Sequence, residues 1–264
     1  HAHKNLGVML QASGDWWGAK KEYETAVKLE PDYAEAHAAL GQVLSITAAW
    51  LLSQQQEETT SEERVELRRV HLKIKEHAVE ALREATRLAP RNAVYHRELG
   101  AALFSLASNR GNFIRLGIKE EEGERILADA QRDREEGLVE LRKAVALDPT
   151  DAAAHSALAE GLQTGEEAIA EYRAAIHLAP TDSYSRIELG KLLLVRTEKD
   201  VPGAMREFQA AVRIDPKNPQ AHVRLGFAFE DELGQMDKAI EEYRKSVDLG
   251  SDGLPPPLPF RVGL

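Results

Sequence analysis

Apolar residues recur at helical spacing along almost the whole chain. Leu6 and Leu10, Leu40 and Leu44, and Leu99 and Leu103 stand four apart, with Gly7, Gly41 and Gly100 beside the leading leucines. Residues four apart share one face of a helix, and a glycine there lets a second helix come close. After a variable gap, each such phrase is followed by another. This one runs alanine, a large apolar residue four on, a small residue three further and a proline five beyond, as in Ala19, Tyr23, Ala26 and Pro31. Proline cannot continue a helix and restricts the residue before it, so each second phrase predicts a helix and its end.

The closing phrase returns at Ala78, Leu82, Ala85, Pro90; at Gly137, Leu141, Ala144, Pro149; at Ala168, Tyr172, Ala175, Pro180; and at Ala204, Phe208, Ala211, Pro216. A last copy, Ala239, Tyr243, Ser246, has Ser251 where proline would fall. The opening phrases carry a histidine three residues before the leucine, at His3, His37, His96, His155 and His222, with Arg186 in the fifth. This alternation resembles the tetratricopeptide repeat family, whose 34-residue unit pairs a first helix bearing an aromatic-leucine-glycine signature with a second that closes on proline. The resemblance implies an all-α, right-handed superhelical solenoid of about six helix-turn-helix repeats. They are expected at 1–33, 34–92, 93–151, 152–182, 183–218 and 219–249, making one domain 1–249, with a Pro-rich tail at 250–264. Paired helices with apolar faces on both sides bury them by stacking.

Repeats 2 and 3 each run 59 residues, and the excess falls between their two helices. Leu67, Val70, Ile74, Ala78, Ala81, Ala85 and Leu88 keep helical spacing through the second repeat, and Thr59 and Thr60 each precede a glutamate by three, as in a capping box. Both helices are therefore expected to continue outward by about 12 residues, giving arms of ~18 Å that zip together. Phe113, Ile114 and Leu116 lie near the second tip. They are expected either to cap the neighbouring arm or to dock a partner.

The five signature histidines invite a metal or catalytic reading. Equivalent positions in stacked helices lie about 8–10 Å apart or more, whereas an imidazole–metal bond is ~2 Å, so one ion does not collect three of them. Each ring is expected to fill the slot between the two helices of its own repeat. His71, His77 and His177 are expected at the surface or at helix boundaries.

Composition narrows the function. A net charge of −10 with interspersed signs repels phosphate backbones and argues against nucleic acid. With no cysteine, disulfides and thiolate chemistry are excluded. The longest apolar run, Ala48 to Leu52, is too short for membrane insertion. There is no glycine-rich phosphate loop or nucleophile elbow, so the expectation is a non-catalytic protein without cofactor or metal. The chain is expected to be soluble, in an undetermined compartment. His1 already opens inside a helical pattern, so sequence upstream is expected.

The family resemblance places first-helix residues on an inner, concave face. By that resemblance Lys4, Gln42, Arg97, Phe104, Tyr184, Ile187, Lys191, Leu194 and Phe227 are candidate partner contacts, with Phe113, Ile114 and Leu116 on the arm. Lys4 matches one position of the family's carboxylate clamp, but Val8 stands where asparagine is expected, so a chaperone clamp is disfavoured. The implied function is a scaffold holding protein or peptide segments in the groove and through the arms. Two alternatives stay open: a subunit that self-associates head to tail through open ends, with tail residues Leu254, Leu258 and Phe260 docking in the same or the next chain, and the repeat region of a larger enzyme or complex.

Overall fold

A computed structural model describes residues 1–53, 61–114, 120–195 and 199–250. Thr59, Thr60, Leu116 and the tail residues Leu254, Leu258 and Phe260 lie outside the described residues. Among the described residues twelve α-helices follow in order: α1 (Ala2–Ala12), α2 (Trp16–Leu29), α3 (Ala34–Ser53), α4 (Ser61–Leu88), α5 (Ala93–Ile114), α6 (Glu120–Leu147), α7 (Ala152–Leu162), α8 (Gly165–Leu178), α9 (Ser183–Val195), α10 (Val201–Ile214), α11 (Pro219–Phe227) and α12 (Met236–Asp248). A π turn, Ala228–Glu232, extends α11, and the described residues contain no strand. The fold is an all-α array of helical hairpins.

The turns between hairpins follow from one short phrase. Helices α2, α8 and α10 stop two residues before their prolines. The intervening Glu30, Ala179 and Asp215 take φ near −130° and ψ near 80°, out of the helical region as a pre-proline residue must be. Two residues after the proline an Asp or Asn then caps the next helix. Asp151 accepts from the Ala153 and Ala154 amides, Asp182 from those of Tyr184 and Ser185, and Asn218 from those of Gln220 and Ala221. The phrase P-x-D/N thus ends one helix and starts the next.

Within hairpins the small residues do what the spacing predicts. A Cβ on Gly7 would stand 2.5 Å from the Tyr23 ring, so α1 and α2 cross in closer contact than any side chain permits. Gly100 is equally tight against α6, where a Cβ would meet Leu141 at 2.5 Å and the Gly137 carbonyl at 3.0 Å. Tyr23, Leu82, Leu141, Tyr172 and Phe208, the large residues of the closing phrases, are all almost fully buried.

Contacts gather into two compact units, His1–Gly161 and Leu162–Leu264. In the first, α1 pairs with α2, α3 with α4 and α5 with α6; in the second, α9 pairs with α10 and α11 with α12.

The first unit carries the lengthened helices. Against 11 and 14 residues for α1 and α2, helices α3 and α5 have 20 and 22, while α4 and α6 have 28 each. The excess is shared unequally, most of it going to the second helices. Helix α4 packs on α5 and is tied to α5 and α6 by polar links. Arg83 holds Glu136 through two hydrogen bonds of 2.8 and 2.6 Å. Arg110 of α5 bridges Glu76 of α4, at 2.8 Å, and the buried Asp133 of α6. Farther out, Arg69 reaches Glu122 at 3.2 Å and stacks over Phe113, 5.9 Å from the ring centroid.

Replacing Gly100 by Ala is expected to cost about 1–3 kcal/mol, because backbone as well as Leu141 blocks the new methyl group. Urea unfolding would show a lower midpoint. An unchanged midpoint contradicts the close approach.

Candidate functional site

The signature histidines sit where consecutive hairpins meet. The closing proline stands two residues past the helix end, so its carbonyl lies outside the helical ladder and is open to a side-chain donor. His37 donates from Nε2 to the Pro31 carbonyl at 2.8 Å. His96 does the same to Pro90 at 3.1 Å, His155 to Pro149 at 3.0 Å and His222 to Pro216 at 2.9 Å. Arg186, the substitute in the fifth repeat, donates to Pro180 at 3.0 Å.

The other edge of the ring faces a carboxylate on the second helix of its own repeat. His3 Nδ1 lies 2.6 Å from Glu22, His96 Nδ1 2.5 Å from Glu140 and His222 Nδ1 2.7 Å from Glu242, while Arg186 pairs with Glu207 at 2.8 Å. The rings do lie between paired helices, but they act as hydrogen-bonded ties rather than wedges, and His37, His96, His155 and His222 reach back to the proline that closes the preceding hairpin. The signal was in the sequence: glutamate stands three residues after Ala19, Gly137, Ala204 and Ala239. Among the described residues no cluster of three or more His, Asp or Glu could hold a metal ion.

Burial by itself would raise the pKa of Glu140 and Glu242. Hydrogen bonds from Lys143 and His96 to Glu140, and from Lys245 and His222 to Glu242, outweigh it and hold both below the ordinary carboxylate value.

His71 corrects the sequence reading, which placed it at the surface. It is 1% exposed, on a helix that packs against α5, and neither ring nitrogen has a hydrogen-bond partner. Burial, and secondarily the charges of Lys75 and Arg68, push its pKa down to about 4. Lys75, one turn on, is also buried and donates to Ser105 of α5 at 2.5 Å. His77 and His177 are exposed.

A cavity of about 570 Å³ opens on the first-helix side of the first compact unit. Val8, Ala38 and Ala39 line it with Lys4, Gln11, Gln42 and Glu35, Tyr95 closes one side, and Trp16 and Tyr23 lie at the other. Two of the expected contacts, Lys4 and Gln42, are therefore here, each already engaged: Lys4 with Glu35 at 3.3 Å, Gln42 donating to Glu98 at 2.5 Å. Tyr95, Ala39 and Trp16 were missed, since their place in the cavity depends on how neighbouring hairpins pack.

The remaining candidates fall elsewhere. Arg97 pairs with Asp151 at 3.2 Å. Phe104 is half-buried against Gly137 and Gly161. Phe113 is 1% exposed beneath Arg69, and Ile114 is half-buried. In the second unit Tyr184 and Phe227 are 46% and 41% exposed, Leu194 is half-buried, Ile187 is 3% exposed, and Lys191 holds Glu188 at 2.6 Å. As the helices stand, Phe113 and Ile187 offer a partner no surface.

Comparison with known proteins agrees with this architecture. A TPR repeat family model matches residues 3–45, and a tetratricopeptide repeat model matches 161–219 and 192–253. Together they take in just over half of the chain, with the long-armed hairpins between them. No curated protein matches the chain. Among solved structures, the chain is similar in fold to PilF of Pseudomonas aeruginosa, at 17% identity over 96% of this chain and 92% of that one, with a TM-score of 0.65. It is also similar to a thermophilic TPR protein of Thermus thermophilus, TTC0263, at 20% identity over 87% and 98%, TM-score 0.53. YrrB, described as having an unusual peptide-binding site, matches at 16% identity over 83% and 88%, TM-score 0.53. Among the described residues no helix is long and apolar enough to cross a membrane.

The buried ring sets an acid limit. Below pH 6.5 the unfolded chain protonates at His71 while the folded chain does not, so stability present above pH 6.5 is lost as pH falls toward about 4. The loss amounts to about 3 kcal/mol. Glu140 and Glu242, depressed in the folded state, add a further loss as pH drops through their own values. Equilibrium unfolding of His71→Leu between pH 7 and 4 should show a shallower pH dependence than the parent. An identical slope contradicts the assignment.

Proposed function

We infer the function of this chain from a settled premise, that it belongs to the tetratricopeptide repeat family: it is a non-catalytic scaffold that holds a segment of a partner protein. The observation that carries this reading is the concavity of about 570 Å³ on α1 and α3. It is lined by apolar Val8, Ala38 and Ala39 and by amide, phenol, ammonium and carboxylate groups from Gln11, Gln42, Tyr95, Lys4 and Glu35. Pockets of this kind orient a ligand by a few placed polar groups and bind it through apolar surface. An extended or helical peptide fits, with one small apolar side chain against Val8 and Ala39 and its backbone or polar groups meeting Gln11 and Gln42.

YrrB has the same fold and a peptide-binding site, which supports the reading without fixing the mode of binding. Lys4 and Glu35, both in the lining, are paired at 3.3 Å, so Lys4 meets a partner through that pair and not as a free cation.

Panning a random peptide library against the chain tests the proposal. Selected peptides should lose binding about tenfold or more to the Val8→Arg variant, which fills the cavity from a position 45% exposed, while helicity is unchanged. Phe227→Glu with Leu194→Glu, in the other compact unit, should leave these peptides unaffected. Peptides that bind Val8→Arg as well as the parent contradict the groove.

A further inference from the structure

One repeat breaks the tie between ring and carboxylate. Three residues after the leading small residue of the second helix stand Glu22, Glu140, Glu171, Glu207 and Glu242, but in repeat 2 that place is Ala81. His37 keeps its bond to the Pro31 carbonyl and is 8% exposed. Among the described residues nothing takes up its Nδ1. A cavity of about 510 Å³, lined by both His37 and Ala81, occupies the space between α2, α3 and α4. It shares no residue with the groove cavity, so it stands whether or not the groove reading does.

The lining specifies a ligand. Nε2 donates to the Pro31 carbonyl, so in the neutral ring Nδ1 carries the lone pair, and the ring lines the cavity. Leu40, Leu44 and Ile74 make an apolar wall, and Glu80 and Glu84 bring two carboxylates to the rim. Arg87, which donates to both Glu84 oxygens at 2.8 and 2.6 Å, holds that carboxyl below its ordinary pKa and therefore ionised. The cavity's own cation, Lys20, is paired with Glu24 at 2.9 Å. An incoming carboxylate would take the place of the missing glutamate but would face the Glu80 carboxylate, with Glu24 and Glu84 already paired to Lys20 and Arg87, in a chain of net charge −10. His77 also lines the cavity, and beside it a hydrogen-bonding cation on an alkyl stem matches the apolar residues, the His37 acceptor and the Glu80 carboxylate. A compact ammonium matches a single ring nitrogen with separate carboxylates better than a planar guanidinium fork does.

We propose that this cavity receives a lysine side chain of a partner protein, its methylenes against Leu40, Leu44 and Ile74 and its ammonium donating to His37 Nδ1 and to the carboxylates of Glu80 and Glu84. With Ala81 in place of glutamate the space is open and Nδ1 has no carboxylate to donate to, which leaves it as an acceptor in the neutral ring. Repeat 2 alone among the six carries that change.

Long-range ¹H–¹⁵N spectra of the His37 ring in the full chain, titrated with Nα-acetyl-lysine amide, test the proposal. The expected result is a saturable shift of His37 Nδ1 that Nα-acetyl-norleucine amide and Nα-acetyl-glutamate amide do not produce. Ala81→Glu, which restores the pairing and fills the space, should weaken lysine binding about tenfold or more. Should that variant fold poorly, Glu84→Gln at the rim gives the same test with a smaller loss. The proposal is overturned by an equal response to norleucine, by preference for glutamate, by lysine binding indifferent to both substitutions, or by no response to lysine up to on the order of 100 mM.

Discussion

A proline carbonyl caught by an aromatic edge six residues downstream organises this molecule. The proline stops a helix, and the chain then turns so that the first helix of the next hairpin starts within reach. An imidazole Nε2 on that helix donates to the carbonyl at 2.8–3.1 Å in four repeats, and Arg186 replaces it in a fifth. The closing prolines are solvent-exposed, so each tie replaces a bond to water and contributes about 0.5–1.5 kcal/mol net. Where a glutamate from the second helix meets the other ring edge, one side chain links three segments: the preceding turn, the first helix and the second.

That linkage accounts for how the first compact unit tolerates long helices. Hairpin spacing is set near the proline turns, so α3 to α6 can lengthen outward without disturbing the stack. The arms then need their own cohesion. It comes from the apolar inner face of α4, including the unpartnered His71 ring, and from arginines that cross between α4, α5 and α6. Arg110 serves both neighbours at once, and Asp133, although pushed toward protonation by burial, stays beside it.

Much of this was legible in the sequence, because the features that fix helices are local. Leu–Gly and Ala–large spacing marks the contact faces, and proline marks the ends. The role of the histidines was legible only in part: their aromatic-like placement marks a slot between helices, but the polar edges require knowing which carbonyl lies opposite. The glutamates supplied a periodic clue that went unused. His71 was misplaced because its burial depends on arm-to-arm packing, a contact between repeats that periodicity within one helix does not encode. Phe113 and Ile187 looked available for binding for the same reason. Conversely, the cavity at Ala81 shows only when its repeat is set beside the others, since a single alanine on a helix carries no signal of its own.

The groove and the cavity at Ala81 are consequences of one scheme in which small residues set distance and hydrogen-bonded rings set register. The tautomer of the rings tests that scheme most directly. Long-range ¹H–¹⁵N spectra of His37, His96, His155 and His222 at neutral pH should show a proton on Nε2 in all four, held there by the proline carbonyls. Rings protonated on Nδ1 with a bare Nε2 would mean that the carbonyl ties do not exist.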